Sequence, residues 1–299
     1  MMKTNYLFIG MAILIMGACS NDKNESQLND GRVAVSFIGE IMQSRASTNA
    51  WEANDCIGIY MLEHGTETVV DGATNCKYVT SVGDGKFTPA GAEQVIYFPL
   101  SEEEKVDFIA YYPQTDLTNN VYKVDVSDQK NPADIDLLRS DNATRMDKST
   151  MAIDLEFFHR LSRLEVELIA GEGMSDVELA GMGITLSEQP VMADFNVLLN
   201  TLIVGQDFST LTLNTATDGK TSSAIILPQE GANGRNLKLT LADGTLLIWP
   251  MEADRTFEQG KKTVFNITLK RTPLGTEVEV NATIRPWDTQ GTVSGDLEI

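Results

Sequence analysis

Histidine occurs only at His64 and His159, and cysteine only at Cys19, Cys56 and Cys76, in a chain of 299 residues. These residue types most often ligate transition metals, shuttle protons or act as nucleophiles. Their scarcity leaves little from which to build a catalytic or metal centre. The usual motifs are missing too. There is no Gly-x-Ser-x-Gly, no His-Glu-x-x-His, no phosphate-binding loop and no calcium loop of the Asp-x-Asp-x-Asp-Gly kind. The chain therefore reads as a non-enzyme with no cofactor. Basic residues are outnumbered, 23 against 43 acidic, for a net charge of −20. That excludes a basic footprint for nucleic acid or an anionic membrane surface. Helical periodicity is hardly present, and only one segment is apolar for more than a few residues.

That segment is at the N-terminus. Lys3 supplies a positive charge, and Tyr6 to Met16 is an apolar core too short for a transmembrane helix, which needs about 20 residues. Small residues lead to a cysteine in Met16-Gly17-Ala18-Cys19. The pattern is that of a bacterial lipoprotein leader, residues 1–18, with Cys19 as the acylated first residue and an anchor in the membrane. A polar tether, Ser20 to Ser26, follows. Cys56 and Cys76 then remain, either as a disulfide or as buried small hydrophobes.

The body reads as short strands between turn signals. Val33, Val35, Phe37 and Ile41 share one face of an extended segment. Gln43 to Asn49 has small polar residues and no apolar period, as in an exposed, cleavable loop around Arg45-Ala46. Trp51 to Met61 resumes as a strand. Asp71-Gly72, Asp84-Gly85, Asp218-Gly219 and Asp243-Gly244 mark hairpin turns. Strands are also expected over 77–82, 94–98, 106–112, 121–126, 161–169, 177–179 and 195–204, and then repeatedly to the end. Leu138 to Thr150 is the best internal linker. Val278, Val280, Ala282 and Ile284 alternate cleanly near the C-terminus, and Val293, Leu297 and Ile299 form a weaker apolar tail. The expected architecture is all-β, with two antiparallel sandwiches in tandem over 46–152 and 153–299.

Other conspicuous residues have plain readings. His64 lies in a surface turn, His159 is a structural hydrogen-bonder, and Glu102 to Glu104 is a solvated run. Trp51, Trp249 and Trp287 suit core or edge packing better than a sugar-stacking platform.

Several stretches together resemble a fimbrillin of the Mfa-like kind, a subunit of type V pili of Gram-negative bacteria. They are the lipobox at Cys19, Arg45-Ala46, Trp51 to Met61, Val106 to Pro113, Phe158 to Leu164 and Ile284 to Trp287. The resemblance implies transthyretin-like sandwiches and a defined life history. The subunit reaches the outer membrane as a lipoprotein. An Arg-specific protease cuts after Arg45 and removes lipid, tether and first strand, residues 19–45. The groove left behind takes a strand from the C-terminal segment, about 275–299, of another pilus subunit. Val33, Val35, Phe37 and Ile41 would be the removable strand, and Val278, Val280, Ala282 and Ile284 the donor. Ending the chain after Leu274 should then block assembly and leave a folded monomer. The competing reading is a monomeric outer-membrane lipoprotein, an anchor, tip adhesin or binder of a glycan or host protein, in which both strands stay paired at home.

Overall fold

The computed structural model describes residues 31–42, 51–216, 219–231, 234–241, 244–273 and 275–287. The fold is all-β. Seven strands form a closed barrel in the order β1 (Phe37–Ile41), β4 (Lys86–Pro89), β3 (Cys76–Thr80), β2 (Asp55–Glu63), β5 (Val106–Tyr112), β7 (Leu138–Ser140) and β8 (Ile153–His159). A further strand, β6 (Val121–Asp125), and a single helical turn, α1 (Pro132–Ile135), lie between β5 and β7 in the chain.

The rest of the chain builds three smaller groupings. β13 (Phe208–Thr212), β10 (Gly183–Pro190), β16 (Asn236–Thr240) and β17 (Leu246–Pro250) form one sheet. β14 (Asn214–Thr215), β15 (Thr221–Ile226), β9 (Ser162–Ala170), β18 (Lys261–Thr272) and β19 (Gly275–Pro286) form a second. β12 (Thr201–Val204), β11 (Met192–Asn196) and β6 form the third.

Alternation explains the barrel interior. β8 buries Ile153, Leu155, Phe157 and His159 and exposes the residues between them. β2 is buried on both faces. Ile57, Ile59 and Met61 point into the barrel core, whereas Tyr60 and Leu62 belong to the core of the second half. A strand covered on both sides reads as a near-continuous apolar run. Asp71 and Gly72 both take positive φ, 49° and 69°, as a type I′ turn requires.

Five expectations need correction. The first unit is a closed barrel rather than a sandwich, because β1 pairs with both β4 and β8. Not all pairing is antiparallel: β1 runs parallel to β8, and β18 runs parallel to β9. The break expected at residue 152 is not where the sheets part, since β8 completes the barrel beyond it. The supposed linker contains β7, whose three residues are all buried. Its polarity misleads because Arg139 is buried with its guanidinium satisfied. Nε donates to Val197 O at 2.7 Å, Nη2 donates to Leu198 O at 3.3 Å, and Nη1 pairs with Asp141. Finally, Asp176–Leu179 is a helical turn, α2, not a strand, because Ser175 and Glu178 form a reciprocal capping box.

The two halves are joined by more than the chain. β6 comes from the first half but pairs with β11 in the second. Gln129 donates to Val126 O and Ile225 O and accepts from Ile225 N, at 2.6, 2.8 and 2.9 Å. Tyr60, Ile109 and Tyr111 of the barrel share one hydrophobic core with Leu164, Phe195 and Phe265.

Candidate functional site

The barrel closes through β1. Phe37 and Ile38 pair antiparallel with Phe87 and Lys86 of β4. On the other side, Phe37 to Ile41 pair parallel with Ile153 to Phe157 of β8, five positions against two. Just upstream, Val35 N donates to Ile96 O and Phe98 N donates to Val33 O, both at 2.9 Å. The segment Val33–Ile41 therefore fills one slot in the barrel wall.

Its side chains alternate as the sequence predicts, with one exception. Val35 and Phe37 are buried and Ile41 is half-buried, but Val33 is 41% exposed. Phe37 sits edge-on to Tyr78 and Phe108, with ring centroids 5.0 and 5.2 Å away. Gly39 is the feature that alternation alone does not reveal. A Cβ there would lie 2.8 Å from Cε2 of Phe87 and 3.1 Å from Cε2 of Phe157. Its N–H donates to Gly85 O at 2.8 Å, and its carbonyl accepts from Trp51 Nε1 at 2.7 Å. Gly85 has φ 77°, and a Cβ on it would come within 2.5 Å of Gly39 O. A glycine inside a strand often marks such close approach, and that was the available signal.

Trp51 begins the chain beyond residues 43–50 and is itself buried. Its ring meets those of Phe87, Tyr112 and Phe157 edge-on, at 5.1, 5.4 and 5.1 Å. A cleft of about 170 Å³ opens where β1 ends and Trp51 begins; Ile41, Trp51, Tyr112, Asp136, Arg163 and Trp287 are among its walls. Cys19, Arg45 and Ala46 lie outside the described residues.

At the other end of the chain, β19 pairs with β18 along its length and is the last strand of its sheet. Val278, Val280, Ala282 and Ile284 stand opposite Leu269, Ile267, Phe265 and Thr263. The expectation that everything beyond Leu274 stands clear of the core is overturned at Trp287. This residue is 5% exposed and lies flat on the His159 ring, 4.1 Å between centroids and 3° between planes. His159 Nδ1 is in turn 2.9 Å from Asp136 Oδ1. Trp287 thus ties the C-terminal strand to the barrel's last strand.

A sequence model of fimbrillin-like proteins matches residues 44–287. The chain belongs to the fimbrillin-like family. It is similar to a candidate fimbrium subunit, Fim1C of Bacteroides uniformis, with 35% identity over 303 residues covering 96% of this chain and 95% of that protein. Among solved structures it is similar to a candidate cell adhesion protein of the same species. There the TM-score is 0.74 at 32% identity, with 87% of this chain and all of the other covered. A candidate cell adhesion protein of Bacteroides ovatus shares the fold, with TM-score 0.70 at 20% identity, covering 87% and 99% of the two chains. The family match starts at residue 44, after β1 and immediately before Arg45.

The remaining candidates fall to packing. Trp249 of β17 sits edge-on over Phe265 at 5.1 Å. His64, in a turn and 40% exposed at its side chain, is 2.8 Å from Asp107. Cys56 and Cys76 are free thiols. Register explains it: Cys76 stands opposite Ile59, three residues from Cys56, so the two side chains leave opposite faces.

Proposed function

We propose that this protein is a subunit of a surface fimbrium, exported as a lipoprotein through Cys19, cut after Arg45, and assembled by strand exchange. One observation carries the reading. β1 is a full member of a closed barrel, yet its only covalent tie to the other six strands is the segment holding Arg45. Cutting that segment leaves β1 held by side-chain burial and hydrogen bonds alone. Loss of β1 would uncover Tyr78, Phe87, Phe108, Phe157 and the facing backbone of β4 and β8. Buried polar backbone without partners is costly, so the opened slot favours replacement by another strand. The partner is a second fimbrial subunit, the cutting enzyme an Arg-specific protease, and the precursor resides at the outer membrane. An adhesive role toward a host or bacterial surface agrees with the naming of its structural relatives.

The test is N-terminal sequencing of the surface protein together with Arg45→Ala. A mature chain that starts at Ala46, and loss of polymer in the variant, is the expected result. A wild-type surface protein that retains an acylated Cys19, or polymer formed at the normal rate by Arg45→Ala, overturns it and returns the monomeric lipoprotein.

A further inference from the structure

Strand β17 is an edge without the usual protection. It is the last strand of the sheet β13-β10-β16-β17, so among the described residues one side of its backbone has no neighbouring strand. Edge strands are commonly blunted by charge, a bulge or proline. β17 reads Leu246-Leu247-Ile248-Trp249-Pro250, apolar throughout, with proline only at its end. Leu247 and Trp249 pack against the core of the second half, whereas Leu246 and Ile248 are 53% and 55% exposed. Hydrogen bonds fix which backbone groups face outward. Leu241 N donates to Thr245 O, and Met251 N donates to Arg235 O. Hydrogen-bonded pairs alternate along an antiparallel ladder, so residues 245, 247, 249 and 251 bond toward β16. The N–H groups of Leu246 and Ile248, and the carbonyls of Leu246, Ile248 and Pro250, are left at the free edge.

We infer that this edge pairs with the same edge of a second copy, antiparallel about a two-fold axis at Ile248. Self-complementarity selects that occupant. In this register Ile248 stands opposite the partner's Ile248, and Leu246 opposite the partner's Pro250. Both outward N–H groups of each copy then meet a carbonyl. Ile248 N donates to the partner's Ile248 O, and Leu246 N donates to the partner's Pro250 O. Proline, which has no N–H, stands where an acceptor is needed, and only the Leu246 carbonyl is left to water. On the other face Leu247 meets the partner's Trp249, so every opposed pair is apolar. No charge stands opposite a charge along the strand, although each chain carries −20. Neighbouring registers fail. An axis at Leu246 sets Ile248 against Gly244, a turn residue at φ 83° whose N–H is already bonded to Leu241 O. An axis at Pro250 sets proline against proline, with no donor on either side.

The contact is isologous, so it closes on itself and joins copies in pairs rather than in an open series. Two four-stranded sheets would become one of eight strands. β13, the other edge of the same sheet, is the less suitable partner. It exposes Ser209, Thr210 and Thr212, which would set hydroxyls beside Leu246 and Ile248. β1 belongs to a different sheet, so the pairing is independent of strand exchange.

The test uses the full chain with Cys19→Ala, Arg45→Ala and Cys56→Ser, so that lipid, cleavage and the more exposed native thiol play no part. Ile248→Cys should give a disulfide-linked dimer on non-reducing gels, because an opposed hydrogen-bonded pair brings Cα atoms to about 5.5 Å, within disulfide range. Val177→Cys, exposed but off the strand, measures chance collision. Without added cysteine, Ile248→Lys and Ile248→Glu should each weaken dimerisation roughly tenfold in sedimentation, since each sets like charges opposite one another. An equimolar mixture of the two should restore the dimer as a heterodimer. Ile248 is exposed, so an unchanged melting temperature is the folding control. Loss of dimer with no rescue in the mixture overturns the two-fold register. So does an Ile248→Cys dimer no more abundant than that from Val177→Cys. A stronger link between Ile248→Cys and Thr210→Cys chains selects β13 as the partner edge and overturns the inference as well. None of these results depends on whether strand exchange occurs.

Discussion

Replacing Phe37 by Ala separates the two roles assigned to β1. Phe37 is 2% exposed and wedged between Tyr78 and Phe108. A buried Phe→Ala change costs about 3–5 kcal/mol in lost transfer energy plus the cavity left behind. A domain has only about 5–15 kcal/mol in total. The uncleaved chain should therefore lose a large part of its stability, read as a lower urea midpoint at unchanged slope. After the cut, the same loss falls on the grip of the fragment. At about 1.4 kcal/mol per decade, the half-time for release of residues 19–45 should shorten by about 10²–10³-fold. Size-exclusion chromatography of the cleaved protein, with mass detection of the fragment, measures it directly. The released body, residues 46–299, is identical in variant and wild type, so its later assembly rate should be identical too. Ile38→Ala is the control, since Ile38 is 40% exposed and should shift stability by less than about 0.5 kcal/mol. Equal release times for Phe37→Ala and wild type would refute the claim that burial in this slot retains the cut strand.

Four other outcomes follow from the geometry. Arg139→Met should cost about 1–3 kcal/mol, because it leaves the carbonyls of Val197 and Leu198 without their donor, whereas Asp141 is half exposed and stays open to solvent. Unfolding followed by separate probes in the barrel and in the second half should still show one transition, given the shared core. Burial pushes Tyr60, Tyr78 and Tyr122 up to about 12 and raises Tyr111 and Tyr112 further. A raised folded value means stability is intact below the unfolded value of about 10 and is lost as pH climbs through the folded values. Tyrosinate absorbance from these five residues should accordingly appear together with loss of the far-ultraviolet signal; ionisation of every tyrosine near pH 10 with the fold intact would contradict their burial. Ending the chain at Leu274 should cost stability as well as assembly, since it removes β19 and the buried Trp287.

What could be read from the residues was local. Period-two alternation located β1, strands were expected where β2 and β5 lie, and Asp71-Gly72 located a turn. Direction and partner were not legible, because alternation is the same whichever way a neighbour runs. Hence the parallel β1–β8 pairing and the closure of the barrel went unseen. Polarity misled at Arg139, whose charge is buried by partners far along the chain. Ser175-x-x-Glu178 carried a helix signal that the apolar Val177 and Leu179 masked. At the candidate site, the buried pair Val35 and Phe37 was visible as a face. Gly39 was not visible as a constraint, because the rings that exclude its Cβ come from β4 and β8. Trp287 was noted, but its stacking on His159 depends on two strands meeting across the fold.

Under the strand-exchange proposal, cutting rather than binding would control exchange. While the chain is intact, β1 competes for its slot from the end of a short tether. Such tethers hold a segment at an effective concentration of order millimolar. A strand from another molecule would have to exceed that while filling the pocket that Phe37 occupies. The cut removes the tether term and leaves the fragment to dissociate and dilute. The balance then passes to a donor that is covalently part of a subunit and present at the concentration of the assembling fibre. A strand that fills its slot well but pairs in the less favourable sense is suited to this. It closes the barrel reliably before the cut and is replaceable after it.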